Sequence, residues 1–103
     1  MVARISVRET PEYTKWRTGI NDDVTGNRID SRVFRLQTGL FGETRPVGGG
    51  VSELKLNFGP GYRIYFAQKG NEIVLLLQGG DKSSQPRDIS AARAIWEQWK
   101  DNL

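Results

Sequence analysis

The sequence contains no histidine and no cysteine. The absence of histidine removes the side chain that most often transfers protons near neutral pH, and the absence of cysteine removes thiol nucleophiles and thiolate zinc sites. Haem ligation by either residue is excluded as well. Any chemistry must therefore come from lysine, arginine, tyrosine, aspartate, glutamate, serine or the backbone, and we expect no metal and no cofactor.

Long hydrophobic segments are also missing. The longest apolar run, residues 73–77, has five residues, whereas a membrane-spanning helix needs about 20. The first ten residues alternate apolar and polar side chains, which is not the pattern of a signal peptide. The length of 103 residues suits one domain over residues 1–103. We therefore expect a single domain in the cytoplasm, without a membrane partner.

Helical patterns occur in three places. Thr10 and Pro11 predict a helix start, because threonine accepts from free amides and proline fits the first turn. A second helix is expected over about residues 23–38, ending at Gly39. A final helix is expected from about Asp88. Trp16 on the first helix and Trp96 and Trp99 on the last have the spacing of core residues.

Strand patterns fill the rest of the chain. Ala3, Ile5 and Val7 alternate with polar residues and predict an opening strand. Residues 41–50 are expected to form a loop. Residues 51–58 and 62–66 predict an antiparallel hairpin around a glycine-proline-glycine turn, and residues 73–77 are apolar on both faces, as in a well-covered strand. The predicted fold is α+β, in the order β-α-α-β-β-β-α, with two helices packed on one side of a mainly antiparallel four-stranded sheet.

Polar side chains alternate with the apolar ones along the hairpin. The alternation places Glu53, Lys55 and Asn57 beside Arg63 and Tyr65 on one face, and Lys82 and Gln85 follow the next strand in a glycine-led loop. One reading is a solvated sheet face with an ion pair from Glu53 to Arg63 or Lys55. The other is an anion site, which agrees with the net charge of +3.

RNA is an anion that can be cut without a metal, since its 2′-hydroxyl can attack the neighbouring phosphate. In the absence of histidine, a lysine crowded by arginine is a candidate base, because nearby positive charge lowers the pKa of an amine. Lys55 beside Arg63 fits that description. Arg63 and Lys82 would then hold the phosphate.

The second predicted helix also carries a basic stripe. Arg28, Arg32 and Arg35 follow at spacings of four and three and share one helical face. A solvated helix face explains this stripe, since surface arginines are common.

The segment PVGGGVSELKLNFGPGYRIYF, together with LLLQGGDKSSQ and the following DI, resembles the phage-derived killer-protein branch of the RelE/HigB/ParE toxin superfamily. The resemblance is close over residues 46–89 and looser over the flanking elements. It implies a RelE-like fold and a toxin of a type II toxin–antitoxin pair, an endoribonuclease that inhibits translation by cleaving mRNA on the ribosome. The implied partners are mRNA, the ribosome and a small helix-turn-helix antitoxin.

The resemblance also implies which residues act on RNA. Lys55 and Arg63 match the strand residues that bind and activate RNA in such toxins, and Lys82 matches the basic loop; these three are the predicted catalytic residues. Where several relatives have a catalytic tyrosine or histidine near the C-terminus, this chain has Pro86-Arg87-Asp88-Ile89, so Tyr65 and Asp81 are the candidates for the acid of the leaving group. The predicted RNA-binding residues are Arg45, Glu53, Asn57, Tyr65, Asp81 and Gln85.

Two alternatives stay open at this level. A toxin like those of the ParE branch would inhibit DNA gyrase by binding, without cutting RNA, since a shared fold does not decide the function. A decayed toxin would bind RNA and its antitoxin without turnover.

Overall fold

The computed structural model describes residues 4–103 and leaves out residues 1–3, so Ala3 of the predicted opening strand lies outside the described residues. The described part contains five strands and three helices. In chain order they are β1 (Ser6–Glu9), α1 (Pro11–Thr18), α2 (Asp23–Leu36), β2 (Thr44–Gly48), β3 (Val51–Lys55), β4 (Arg63–Lys69), β5 (Ile73–Gly80) and α3 (Gln85–Trp99), with short 3₁₀ turns at Lys82–Ser84 and Lys100–Asn102.

The five strands form one sheet in the order β1-β5-β4-β3-β2. β1 runs parallel to β5, and the other three pairs are antiparallel, so the predicted mainly antiparallel sheet is confirmed. The predicted number of four strands is wrong, because β2 lies within the expected loop at 41–50. β2 has no apolar alternation, and its Pro46 is tolerated because β2 is an edge strand with one side unpaired. The three glycines that turn the chain into β3, Gly48 to Gly50, all have positive φ.

Helices cover both faces of the sheet. Side chains of α1 and α2 pack on one face in a core that includes Tyr13, Ile29 and Leu36, whereas Ala92 and Ile95 of α3 pack on the other. The prediction of two helices on one side of the sheet is correct for α1 and α2. It did not include the packing of α3 on the opposite face. The strand pattern agrees with two covered faces, because Val74 and Leu76 of β5 belong to the first core and Leu75 and Leu77 to the second.

The helix ends follow from local side-chain chemistry. The Thr10 hydroxyl accepts from the amide of Tyr13 at 3.1 Å, and its own proton goes to the carbonyl of Leu77, so the predicted start of α1 is confirmed. The α2 helix ends at Leu36, two residues earlier than expected, before Gly39 turns with φ +80°. The α3 helix begins at Gln85 and not at Asp88, because Pro86 fits its first turn.

The tryptophans contact the cores as predicted. Trp16 packs against the first core and Trp96 and Trp99 against the second, each partly buried. The ring of Trp16 lies so close to the backbone of Gly79 that a side chain there would overlap it. In residues 4–103, no helix combines the length and apolar character that crossing a membrane requires.

Candidate RNA-binding cleft

The α3 helix covers only one half of its sheet face. It packs on the half that includes Val51 and Ala67, and the other half forms an open cleft of about 410 Å³. Residues from β2, β3, β4, the loop before β2 and the first turn of α3 line this cleft: Glu43, Thr44, Arg45, Glu53, Lys55, Arg63 and Gln85. Five of these seven are among the predicted site residues, so the fold brings most of the predicted site together.

The strand register places the central residues directly opposite one another. Lys55 faces Arg63, and Glu53 faces Tyr65, across the β3–β4 pair. The predicted cross-strand neighbours are therefore confirmed. Their exposure differs from the prediction, since Arg63 is only 7% and Glu53 only 2% exposed and Tyr65 is fully buried. A solvated face is thus correct for Lys55 but wrong for these three. Arg45 of β2 and Gln85 of α3 contact Glu53, Arg63 lies against Glu53, and Tyr65 belongs to the core beneath α3.

Glu53 is the centre of the hydrogen bonding in the cleft. Its carboxylate accepts from Arg45 at 3.2 and 3.4 Å and from the Gln85 amide at 2.8 Å, and it lies 3.4 Å from the Arg63 Nε. Burial raises the pKa of Glu53, but the hydrogen bonds from Arg45 and Gln85 and the charges of both arginines outweigh burial, so this pKa is lowered. Glu53 is therefore a carboxylate at neutral pH. The hydrogen bonds from Arg45 to Glu53 also raise the pKa of Arg45.

Arg63 lies in the floor of the cleft. Its Nη1 donates to the carbonyl of Gly61 at 2.7 Å, but its buried Nε has no hydrogen-bond partner among the described residues. A buried guanidinium with an unused donor is costly unless another acceptor satisfies it. The Glu53 carboxylate, 3.4 Å away, supplies the counter-charge for this buried Nε.

Lys55 lies at the more open side of the cleft, with 44% of its side chain exposed. Its Nζ is 4.0 Å from the carboxylate of Glu43, a residue that was not predicted. Lys55 thus has the predicted neighbour Arg63 and, in addition, a carboxylate that approaches it from the loop before β2.

The loop after β5 approaches Arg63 from another side. A Cβ atom built on Gly61 would lie 3.1 Å from the Arg63 Nη1 and 3.4 Å from the Lys82 Cβ, so Lys82 is a neighbour of Arg63 across this turn. Asp81, next to Lys82, accepts hydrogen bonds from the Ser83 hydroxyl and amide. These bonds lower the pKa of Asp81.

Besides Lys82, three predicted residues do not line the cleft. Asn57 follows the end of β3 and lines a different cleft beside α2, because the strand pattern stops at Lys55. Asp81 lines a third cleft with Trp16 and Tyr62. Tyr65 lies beneath the cleft without lining it, its hydroxyl has no partner among the described residues, and burial followed by the charge of Glu53 raises its pKa.

The sequence did not predict Glu43 and Thr44 as site residues. Both come from the segment expected to be a loop, where proline and glycine hide the strand pattern. Of the cleft residues in this segment, only Arg45 was predicted. Its pairing opposite Glu53 could not be predicted, because that pairing depends on the position of β2. In the described part of the chain, no three histidine, cysteine or acidic residues are grouped as a metal site would need.

Comparisons with known proteins agree with this fold. No protein-family model matches the chain. It is 35% identical over 91 residues to a Haemophilus influenzae protein described as "Uncharacterized protein", and the match covers 88% of this chain and 92% of the relative. The two proteins belong to one family.

A solved structure is similar over nearly the whole chain. A double mutant of the E. coli toxin RelE in the free state superposes with a TM-score of 0.69, at 12% identity, over 97% of this chain and 99% of the toxin. At this identity the likeness shows the fold, which is RelE-like with a five-stranded mixed sheet. The predicted fold family is confirmed, and the phage-derived branch stays a prediction.

Proposed function

We propose that this protein is the toxin of a type II toxin–antitoxin pair and that it inhibits translation by cleaving mRNA on the ribosome. The observation that carries the proposal is Arg63 in the floor of an open cleft, directly opposite Lys55. The RelE-like fold supports it. A small helix-turn-helix antitoxin is the proposed partner, and the cytoplasm the proposed location.

In this proposal the phosphate of RNA binds at Arg63. The Arg63 guanidinium supplies positive charge from the floor of the cleft, and Arg45 and Lys82 add positive charge around it. Glu53 fixes the two arginines from below, since its carboxylate accepts from Arg45 and lies 3.4 Å from the Arg63 Nε. The arrangement would stabilise the extra negative charge that develops on the phosphate in the transition state.

The chemistry needs one proton acceptor and one proton donor. Lys55 takes the proton of the 2′-hydroxyl, whose oxygen attacks the phosphorus and forms a 2′,3′-cyclic phosphate. The bond from phosphorus to the 5′-oxygen breaks, and this oxygen takes a proton from the Lys82 ammonium. Asp81 is a poor donor because its lowered pKa keeps it ionised, and Tyr65 is buried beneath the cleft.

The test is induced expression with mapping of new 5′ ends on mRNA, followed by cleavage assays with purified protein and ribosomes. We expect growth arrest, new 5′ ends within coding regions, and rescue by the cognate antitoxin. Lys55→Gln should abolish the new ends, and Lys69→Gln, a change at an exposed lysine at the other end of the sheet, should not.

Two results would overturn the proposal. Arrest without new 5′ ends while translation continues excludes mRNA cleavage. Induction of the DNA-damage response with chromosome breaks, unchanged by Lys55→Gln, supports the alternative of a gyrase inhibitor that acts by binding.

A further inference from the structure

A second basic surface lies on α2, across the sheet from the cleft. Arg28, Arg32 and Arg35 form one stripe along this helix, and we call these three residues the α2 arginine stripe. At a rise of about 1.5 Å per residue, the stripe extends over about 10 Å. It is a linear array of positive charge in which Arg28 and Arg35 are exposed and Arg32 is half-buried.

The stripe differs in its partners from the basic residues that line the candidate cleft. Among residues 4–103, none of its arginines has a carboxylate within 4.0 Å, whereas the cations that do are Arg17, Arg45, Lys55, Arg63 and Lys100. Charges that are left without internal counterions attract an external polyanion most strongly.

Two clefts lie along the α2 arginine stripe, and its side chains contact neighbouring residues in both. One, of about 370 Å³, is also lined by Ser31, Asn57 and Phe58, and the Arg28 guanidinium carbon lies 4.0 Å from the centre of the Phe58 ring. The other, of about 410 Å³, extends along residues 39–42, where the Arg32 guanidinium lies against the backbone of Gly42. Arginine, an aromatic ring and amide or hydroxyl groups are the set that binds single-stranded nucleic acid.

The stripe is continuous with the candidate cleft. Gly42 lines the second α2 cleft and Glu43, the next residue, lines the candidate cleft. Asn57 lies two residues after Lys55, and two residues span at most about 7 Å. One strand of nucleic acid can therefore pass from the cleft around the edge of the sheet to α2.

We propose that the α2 arginine stripe binds the sugar–phosphate backbone of the single-stranded RNA that occupies the cleft, beyond the nucleotides at Arg63. This inference rests on the proposed function for its choice of RNA. An acidic protein segment fits the charge alone, but the continuity with the cleft and the ring of Phe58 favour RNA. The stripe thus lengthens the RNA site without taking part in cleavage.

The experiment measures binding of the full chain to 2′-O-methyl RNA, which cannot be cleaved, over a range of salt concentrations. Lengths of about 4 and about 16 nucleotides bracket the usual site sizes of single-strand binding folds. The stripe variant is Arg28→Gln, Arg32→Gln and Arg35→Gln together. The control, Arg8→Gln, Lys69→Gln and Lys100→Gln, removes the same charge from exposed positions elsewhere, and circular dichroism checks that both variants fold.

We expect the parent protein to bind the long RNA more tightly than the short one, and the stripe variant to lose this difference. Three lost phosphate contacts reduce the slope of log affinity against log salt by about 2, at about 0.7 per contact for single strands. The control variant should keep the length dependence, and the stripe variant should still cleave RNA at saturating concentration.

Equal affinities and slopes for the stripe and control variants on the long RNA would overturn the inference, because net charge alone would then explain binding. So would a stripe variant that keeps its RNA affinity but no longer binds the antitoxin, since the surface would be a protein interface. Failure of the parent protein to cleave any RNA, with the length effect of the stripe intact, would reject the proposed function and leave this inference standing.

Discussion

The candidate cleft and the α2 arginine stripe are both basic, but they hold their charges differently. In the cleft, the buried carboxylate of Glu53 contacts Arg45, Arg63 and Gln85 together. On α2, Arg28 lies against a ring and the half-buried Arg32 against a glycine backbone. Among residues 4–103, no arginine of the stripe has a carboxylate within 4.0 Å. The first region fixes the direction of each donor, and the second leaves its charges adjustable.

This difference separates two tasks that a polyanion site can have. Bond breaking requires donors aimed at the position where charge develops, and a buried carboxylate network supplies that geometry. Binding a flexible backbone requires charge with little geometric constraint, because each contact acts mainly through release of counterions. Net charge does not distinguish the two regions, because both are basic.

The largest expected effect separates the two regions by activity. Lys55→Gln should reduce single-turnover cleavage at saturating RNA by about 100-fold or more, because general acid–base groups contribute about that much. Arg32→Gln should leave this rate within about threefold and raise the RNA concentration needed for half-saturation, because a rim charge contributes to encounter and binding. Equal rate losses for the two variants would remove the distinction.

The next effect concerns stability. Glu53→Leu should lower the free energy of unfolding by about 3 kcal/mol, because Arg63 is left buried without its counterion. Urea denaturation measures this change. Glu43→Leu, in the same cleft but exposed, is the matched control and should change stability by about 0.5 kcal/mol or less. Similar losses in both variants would show that Glu53 does not organise the cleft.

The pH dependence of stability should follow Glu53 and not the stripe. The pKa of Glu53 in the folded state is lowered below its unfolded value of about 4.3. Its stabilisation is thus present above that pH and is lost as the pH falls through the folded-state pKa. Glu53→Gln should therefore flatten the acid limb of a plot of unfolding free energy against pH. An acid limb identical to that of the parent protein would contradict the assignment.

The smallest effect tests the order of the stripe. The contact between Arg28 and Phe58 should contribute about 0.5 kcal/mol to stability, as exposed cation–π pairs do. A double-mutant cycle with Arg28→Gln and Phe58→Leu measures the coupling, which separates it from the packing of Phe58 on Tyr62. Zero coupling would mean that Arg28 is not held by the ring.

Part of the site could be predicted because it depends on local rules. Alternation along a strand has a period of two, so Lys55 and Arg63 were expected on one face before their register was known. Thr10 and Pro11 predicted the start of α1 for the same reason, since a helix cap depends on residues a few positions apart. The apolar run at 73–77 likewise indicated a strand covered on both sides.

Burial and partners were decided only by the tertiary structure. The sequence shows that the last helix has an apolar side, but not that α3 packs on the face opposite α1 and α2, and this choice buries Tyr65. Nor does it show that an irregular edge strand brings Glu43 and Arg45 to the cleft, or that the end of β3 directs Asn57 towards α2. The sequence alone determined which side chains alternate and where helices start, because these depend on neighbouring residues. The tertiary structure decided which charges meet, because residues far apart in the chain make those contacts.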